Sequence, residues 1–226
     1  MILSVPMRIY FEGNTDPLAK RVLVFSLSLA TWWLTEKFVR PSSGAFIQSL
    51  RSIFGGSAFI GHLFSQSLPV DLVCFFLLCL LCYLKILPPP QFNLNLNKIF
   101  KEGSLWALGI SAITIPLALY LGFHLGFSIN WQSILGNIIS NTYEEMTYRV
   151  FLFSVSAYVF KNTGAGIIMS AILFAAVHTQ YPLLLQIDVG LAAIFFSLAY
   201  LRTNSLFTAL WAHQLSDMIL DSILLH

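Results

Sequence analysis

The sequence predicts an all-α bundle of transmembrane helices, and its composition, its long apolar runs and its scarcity of charge all indicate this fold class. Of the 226 residues, 57% are hydrophobic and only 10% are charged, whereas a soluble domain carries roughly 25% charged residues. The mean hydropathy is +0.78, and the apolar runs are long enough to cross a bilayer. Because so few charges cannot cover a water-facing surface, we predict a multi-pass membrane protein.

We divide the chain into two regions with about seven spans in total, within a range of six to eight. The N-terminal membrane region, residues 1–103, contains apolar runs near 21–38 and 68–87. Residues 45–64 carry apolar side chains at helical spacing, but two glycines interrupt them. This pattern favours an interfacial or re-entrant segment over a full span.

The C-terminal region, residues 104–226, is predicted to form the rest of the bundle. Proline at position 116 is expected to kink its first helix. The predicted spans of this region are 104–124, 131–160, 165–179, 183–201 and 206–225.

The distribution of Lys and Arg predicts the orientation. With seven spans, the basic residues near 20, 100, 161 and 202 fall on one side of the membrane, and the connections 125–130 and 180–182 contain none. The positive-inside rule then places the N-terminus in the cytoplasm, although Lys37, Arg40 and Arg51 fall on the other side. Short loops and the lack of eukaryotic targeting signals favour a prokaryotic plasma membrane.

Several function classes lack their sequence signals. No basic run indicates nucleic-acid binding, and the lipid bilayer is the expected environment. The sequence has no HExxH zinc-protease motif, no G-x-S-x-G, no paired aspartates and no Gly-rich phosphate loop.

Three charged side chains lie close together in otherwise apolar sequence, at Glu144, Glu145 and Arg149. Each charge costs about 3 kcal/mol at the centre of an inserted helix, so such residues usually pair or do chemistry. Glu145 and Arg149 are four residues apart and are predicted to form an ion pair on one helical face. Glu144 points about 100° away and lacks a partner in its own helix. It is the predicted general base toward a water.

Two further helices carry polar groups. His178 comes late in an apolar span, and His213 and Asp217 lie one turn apart in the last span. A single buried histidine is more often a packed core residue, and a His/Asp pair alone is equally compatible with structure and function. Three helices that each carry such groups must satisfy them inside the bundle. We therefore predict that Glu144, His178, His213 and Asp217 meet in one pocket.

These segments resemble the motifs of the CPBP family, the CAAX proteases and bacteriocin-processing enzymes also called the Abi family. Glu144-Glu145-Met-Thr-Tyr-Arg149 matches EExxxR, Phe174-Ala-Ala-Val-His178 matches FxxxH, and His213-Gln-Leu-Ser-Asp217 matches the last motif, HxxxN or HxxxD. The resemblance covers residues 104–225. It implies a four-helix catalytic core and an intramembrane endopeptidase that acts on a membrane-associated protein or peptide.

The resemblance also implies residue roles. Glu144 is expected to activate a water that His178 positions, Glu145 and Arg149 to support the site, and His213 with the residue four on to stabilise the oxyanion. Asp217, if ionised, cannot donate a hydrogen bond. It is therefore either protonated or a support for a charged, donating His213.

A third reading of Asp217 is a metal site. Glu144, His178, His213 and Asp217 supply two imidazoles and two carboxylates, a donor set that suits a divalent ion such as zinc. The favoured reading requires no cofactor.

Two other function classes remain open. One is a non-catalytic membrane protein of the same fold, with an immunity or chaperone-like role. The other is a small transporter that uses the polar cluster as an ion site, although the paired discontinuous helices and internal symmetry of transporters are not evident.

Overall fold

Apolar helices account for most of the chain in the computed structural model, which describes residues 11, 13–42, 44–53 and 68–225. Two π-helical segments, Thr35–Val39 and Glu145–Leu152, continue α1 and α5, and the turn Arg40–Ser42 follows the first of them. The α-helices are α1 (Leu18–Leu34), α2 (Gly44–Ile53), α3 (Leu68–Tyr83), α4 (Leu96–Tyr120), α5 (Trp131–Glu144), α6 (Phe153–Phe160), α7 (Thr163–Val177), α8 (Leu183–Thr203) and α9 (Leu206–Ile223).

The all-α prediction is confirmed, whereas the number of spans stays a prediction. Within the described residues, three helices are long and apolar enough to cross a membrane: Leu18–Val39, Leu96–Tyr120 and Leu183–Thr203. The helices α3 and α7 are apolar but shorter. Large hydrophobic side chains such as Tyr83 and Phe127, about 80% exposed, cover the outer surface. Such exposed aromatic and apolar side chains suit a lipid environment.

Local sequence explains where the helices begin and end. The side chains of Asn95 and Asn162 accept hydrogen bonds from the backbone N–H groups three residues later and so cap α4 and α7. At the C-terminal ends of α6 and α8, Lys161 and Asn204 adopt left-handed backbone conformations, with φ of 49° and 51°. These residues close the helices as glycine usually does.

The helix predicted over 104–124 begins earlier, at Leu96, where Asn95 caps it, and also stops earlier, at Tyr120. Gly122 adopts a φ of 97°, a conformation that leaves the helix and that glycine adopts without strain. The chain then pairs His124–Leu125 with Leu224–Leu225 in a two-residue antiparallel ladder. The predicted last span, 206–225, likewise ends as a helix at Ile223. This ladder joins the end of α9 to the segment after α4.

The predicted long helix 131–160 is continuous but not α-helical throughout. Its central segment, Glu145–Leu152, is π-helical, so the backbone is wider there and each residue turns through a smaller angle. The helix changes from α-helical to π-helical between Glu144 and Glu145. All residues from Thr147 to Leu152 are buried, so the segment lies in the centre of the bundle.

The described part of residues 45–64 is the helix α2, in which Ile47 is buried and most other side chains are exposed or partly exposed. This one-sided burial suits an interfacial helix. The two glycines and the rest of the predicted segment lie outside the described residues, so its membrane topology stays a prediction.

Two glycines allow neighbouring helices to approach closely. A Cβ atom at Gly103 on α4 would lie 2.7 Å from Cδ1 of Trp211 on α9. A Cβ atom at Gly166 on α7 would lie 2.8 Å from the Cβ of Ala157 on α6. Close helix approach at small residues is typical of membrane bundles, where van der Waals packing drives association.

The N-terminal helices pack against this core through a polar contact near the chain start. The Asp16 carboxylate lies 2.9 Å from Lys20 Nζ and accepts a hydrogen bond of 2.7 Å from the Tyr158 hydroxyl on α6. The ion pair with Lys20 and the bond from Tyr158 lower the pKa of Asp16. This contact fixes the start of α1 against α6.

Candidate active site

A cavity of about 670 Å³ lies between helices of the C-terminal region. It is lined by residues of α4, α5, α7, α8 and α9 and by the connections next to them. The four residues predicted to share a pocket, Glu144, His178, His213 and Asp217, all line it. Glu145 and Arg149 do not.

The two adjacent glutamates have different surroundings. Glu144 is the last residue of α5, and 30% of its side chain is exposed in the cavity. Glu145 is the first residue of the π-helical segment and is fully buried. Adjacent residues of a helix point in different directions, so the two carboxylates lie on different sides of the same helix. Of these two glutamates, only Glu144 can reach a molecule in the cavity.

The Glu145 carboxylate holds two other site residues at once. Its Oε1 lies 3.2 Å from Arg149 Nη2 and 2.9 Å from His213 Nδ1. The predicted Glu145–Arg149 ion pair therefore has a third member, which sequence reasoning missed because His213 is 68 residues away in the chain. Buried charges are tolerated when they are paired in this way.

Arg149 is fully buried and is enclosed by aromatic rings. Its guanidinium carbon lies 4.5 Å from the ring centre of Phe174 and 5.3 Å from that of Phe196. Contact with a ring face stabilises a cation where water is absent. Phe174 is the first residue of the FxxxH motif, so its side chain supports the charge behind the site.

His213 has a defined orientation. A carboxylate only accepts hydrogen bonds, so Nδ1–H donates to Glu145, and Nε2 is directed at the cavity. Nε2 lies 3.8 Å from Glu144 Oε2 and 3.7 Å from Asp217 Oδ2. The ring stacks on Phe196 with ring centroids 4.4 Å apart. Carboxylates on three sides supply the negative charge that a protonated His213 ring requires.

His178 ends α7 and faces the same cavity. Its Nδ1 lies 2.7 Å from the carbonyl oxygen of Phe174, one turn earlier, so Nδ1–H donates and satisfies a carbonyl at the helix end. With that tautomer, Nε2 is an acceptor. The ring also stacks nearly parallel to Tyr181, with centroids 6.1 Å apart. His178 thus presents a hydrogen-bond acceptor to the cavity.

Asp217 is held by an amide that sequence reasoning missed. Asn141 Nδ2 donates to Asp217 Oδ2 at 2.8 Å and lies 3.2 Å from Gln214 Oε1. Gln214 in turn donates to the carbonyl of Ile134 at 2.9 Å. Asn141 comes three residues before Glu144, and this spacing on one helical face was the available signal. The three residues tie α9 to α5 beside the cavity.

The arrangement does not fit the alternative metal site. Among the described residues, no group of three or more His, Cys, Asp and Glu side chains is placed to hold a metal ion. We therefore derive no step through a metal.

A protein-family model matches part of the chain. Residues 126–219 match the family model described as type II CAAX prenyl endopeptidase Rce1-like. No curated protein and no solved structure matches the chain. The matched segment contains all three motifs and every residue that lines the cavity from α5, α7 and α8, together with His213, Ser216 and Asp217 of α9. Over residues 126–219 the match supports the CAAX-type protease family that the motifs predict, and with its apolar helices the chain is an integral membrane protein.

Proposed function

We propose that the protein is an intramembrane endopeptidase that hydrolyses a peptide bond in a membrane-associated protein or peptide, with a water activated by Glu144. One observation carries this proposal. Glu144, His178, His213 and Asp217 come from three separate parts of the chain and line one cavity, while the charges that support them are buried behind it.

The first step is attack by water. Of the two adjacent glutamates, Glu144 faces the cavity, and it accepts a proton from the water as general base. The Nε2 atom of His178 is an acceptor and orients the same water through its second proton. The hydroxide equivalent then adds to the substrate carbonyl carbon. Glu144 later delivers the proton to the leaving amine, so the products are one new carboxyl and one new amine.

The second requirement is stabilisation of the oxyanion. His213 uses Nδ1–H on Glu145, so it donates to the oxyanion from Nε2 only when both ring nitrogens carry protons. Glu145 and Asp217 balance that positive charge. This supports the reading in which Asp217 acts through His213 and does not donate itself. A donor fixed in advance at the oxyanion is often the largest single catalytic contribution.

The test begins with substrate discovery. Comparison of membrane proteomes from cells with the wild-type protein and with Glu144→Ala should reveal uncleaved precursors in the variant. Cleavage of such a precursor is then measured with the purified protein in lipid nanodiscs. Glu144→Gln should lower kcat by about 10²–10⁴-fold, the usual contribution of a general base.

The matched control is Glu102→Gln. Glu102 does not line the cavity, and its Oε2 lies 2.8 Å from Arg202 Nε. This variant should cleave at the wild-type rate. A chelator should also leave the rate unchanged, because we propose no metal. Cleavage by Glu144→Gln at the wild-type rate would contradict this mechanism.

Two alternative functions give different results. A non-catalytic immunity or chaperone-like protein would keep its function in Glu144→Gln and lose it when packing is damaged. A transporter would show Glu144-dependent proton or ion flux without cleavage. We further propose a prokaryotic plasma membrane with the N-terminus in the cytoplasm, from the distribution of Lys and Arg.

A further inference from the structure

One buried carboxylate in the cavity belongs to none of the three motifs. Asp188 on α8 is 6% exposed and lines the cavity. Within the described residues its hydrogen bond comes from a neutral group, the Thr114 hydroxyl on α4, which donates to Oδ2 at 2.6 Å. That bond fixes the side chain, and no other described residue donates a hydrogen bond to Oδ1. An ionisable group inside a membrane bundle is costly and usually functional.

The cavity wall as a whole carries acidic side chains without basic ones. Four of its residues are acidic, and none of the described residues that line it is Lys or Arg. The three aspartates are each held by a neutral donor: Thr114 for Asp188 at 2.6 Å, Asn141 for Asp217 at 2.8 Å, and Asn137 for Asp221 at 3.2 Å. Asp217 and Glu144 have His213 nearby, so Asp188 is the buried acid without a cationic neighbour in the wall.

We propose that Asp188, held by Thr114, is a specificity subsite that binds a Lys or Arg side chain of the peptide substrate. A substrate cation would supply the charge that the cavity wall lacks and would donate to the remaining Asp188 oxygen. Charge-assisted hydrogen bonds of this kind are strong when water is excluded. The inference rests on the proposed function, because it names a substrate feature for the same cavity.

The fold sets the distance between this subsite and the candidate catalytic residues. Asp188 and Phe196 line the cavity from one face of α8, eight residues apart, which is about 12 Å along the helix axis. Phe196 stacks on His213. An extended peptide advances about 3.3 Å per residue. The basic residue should therefore lie about three to four residues from the bond that is cleaved.

The experiment uses the full-length protein in lipid nanodiscs and a synthetic library of internally quenched peptides. Each peptide places one Lys, Arg, Gln or Glu at a different position of a common apolar host sequence. Cleavage sites are read by mass spectrometry. In a second arm, binding of the same peptides to Glu144→Gln protein is measured by fluorescence anisotropy, which requires no cleavage.

We expect a preference of about tenfold for Lys and Arg over Gln at a single position, about three to four residues from the cleaved bond. Asp188→Asn, which keeps the shape and can still accept from Thr114, should abolish the preference in both arms. Thr114→Val should weaken it. Glu102→Gln, outside the cavity, should retain it.

The outcomes separate the two proposals. A preference that persists in Asp188→Asn, or no preference in the wild-type protein, overturns the subsite. If no peptide is cleaved but binding still shows a preference that depends on Asp188, the subsite stands and the proposed protease function is wrong. If Glu144→Gln removes cleavage while Asp188→Asn alters nothing, the protease function stands without this subsite.

Discussion

At the residue scale, the site depends on one buried carboxylate that has two partners. Oε1 of Glu145 contacts both Arg149 and His213. The Arg149 guanidinium packs against the rings of Phe174 and Phe196. Neither Glu145 nor Arg149 reaches the cavity. We propose that they position His213 and balance charge, so their loss should affect stability as well as catalysis.

Replacement of Arg149 by Met tests this arrangement. The change leaves Glu145 buried with less compensating charge, and breaking a buried ion pair from one side costs about 3–5 kcal/mol. Thermal unfolding in detergent micelles measures the loss. Arg202→Met, which removes a pair whose arginine is 48% exposed, is the control and should cost less than about 1 kcal/mol. Equal losses for the two variants would contradict the assigned role of Arg149.

At the scale of elements, the π-helical segment Glu145–Leu152 begins directly after Glu144 and carries both Glu145 and Arg149. Side chains of two neighbouring helices fix it from opposite sides. The Thr147 hydroxyl donates to Asp71 Oδ1 on α3 at 2.6 Å, and the Ser170 hydroxyl on α7 donates to the Tyr148 carbonyl at 2.6 Å. A π-helical turn is rare and often marks a functional site. Its conformation here is supported by helices from both regions of the chain.

Replacement of Thr147 by Val tests that support. Valine has nearly the same shape but cannot donate, so the partly buried Asp71 carboxylate loses a hydrogen bond at a cost of about 1–3 kcal/mol. We expect a lower unfolding temperature and a lower kcat, because the orientation of Glu144 depends on this segment. Thr142→Val is the control, since the Thr142 hydroxyl bonds only within its own helix, to Ile138, on an exposed face. A kcat equally affected by both changes would argue against a specific role for the Asp71 contact.

A second prediction at this scale concerns the contact between α6 and α7. Gly166→Ala should cost about 1–3 kcal/mol, because its Cβ atom would lie 2.8 Å from Ala157 Cβ and 3.0 Å from the Phe153 carbonyl. Gly190→Ala is the matched control, since its Cβ atom would meet Ala175 at 3.4 Å, an ordinary contact. Thermal unfolding of both variants checks the difference. Tolerance of Gly166→Ala would mean that the two helices can separate at little cost.

At the scale of the whole molecule, orientation in the membrane follows from the distribution of charge, and it determines the side from which substrate arrives. Lys101 and Ser128 are exposed near opposite ends of α4, a helix long and apolar enough to span. With the N-terminus in the cytoplasm, Lys101 belongs to the cytoplasmic side and Ser128 to the other.

Cysteine labelling tests the orientation. In a variant without Cys74, Cys79 and Cys82, Lys101→Cys should react with a membrane-impermeant maleimide only after the cells are opened. Ser128→Cys should react in intact cells. The reverse pattern would show that the orientation is inverted, and labelling of both from one side would show that α4 does not cross.

The sequence by itself determined the features that depend on local helical periodicity. Apolar runs predicted the all-α class, and the spacing of Glu145 and Arg149 predicted their ion pair, because helical period places residues four apart on one face. The motifs also named the family that the comparison supports. Glu144, His178, His213 and Asp217 were predicted together because isolated polar groups in a membrane helix require partners.

Only the tertiary structure decided which helical faces meet. The contact of His213 with Glu145, the Asn141 amide on Asp217, and the bond from Thr114 to Asp188 join residues 68 to 76 positions apart. Such pairings depend on how helices cross and on the π-helical turn after Glu144, and local periodicity carries no information about either. For that reason the sequence identified the residues around the cavity that lie in motifs, whereas Asp188, which belongs to none of them, became visible only in the folded bundle.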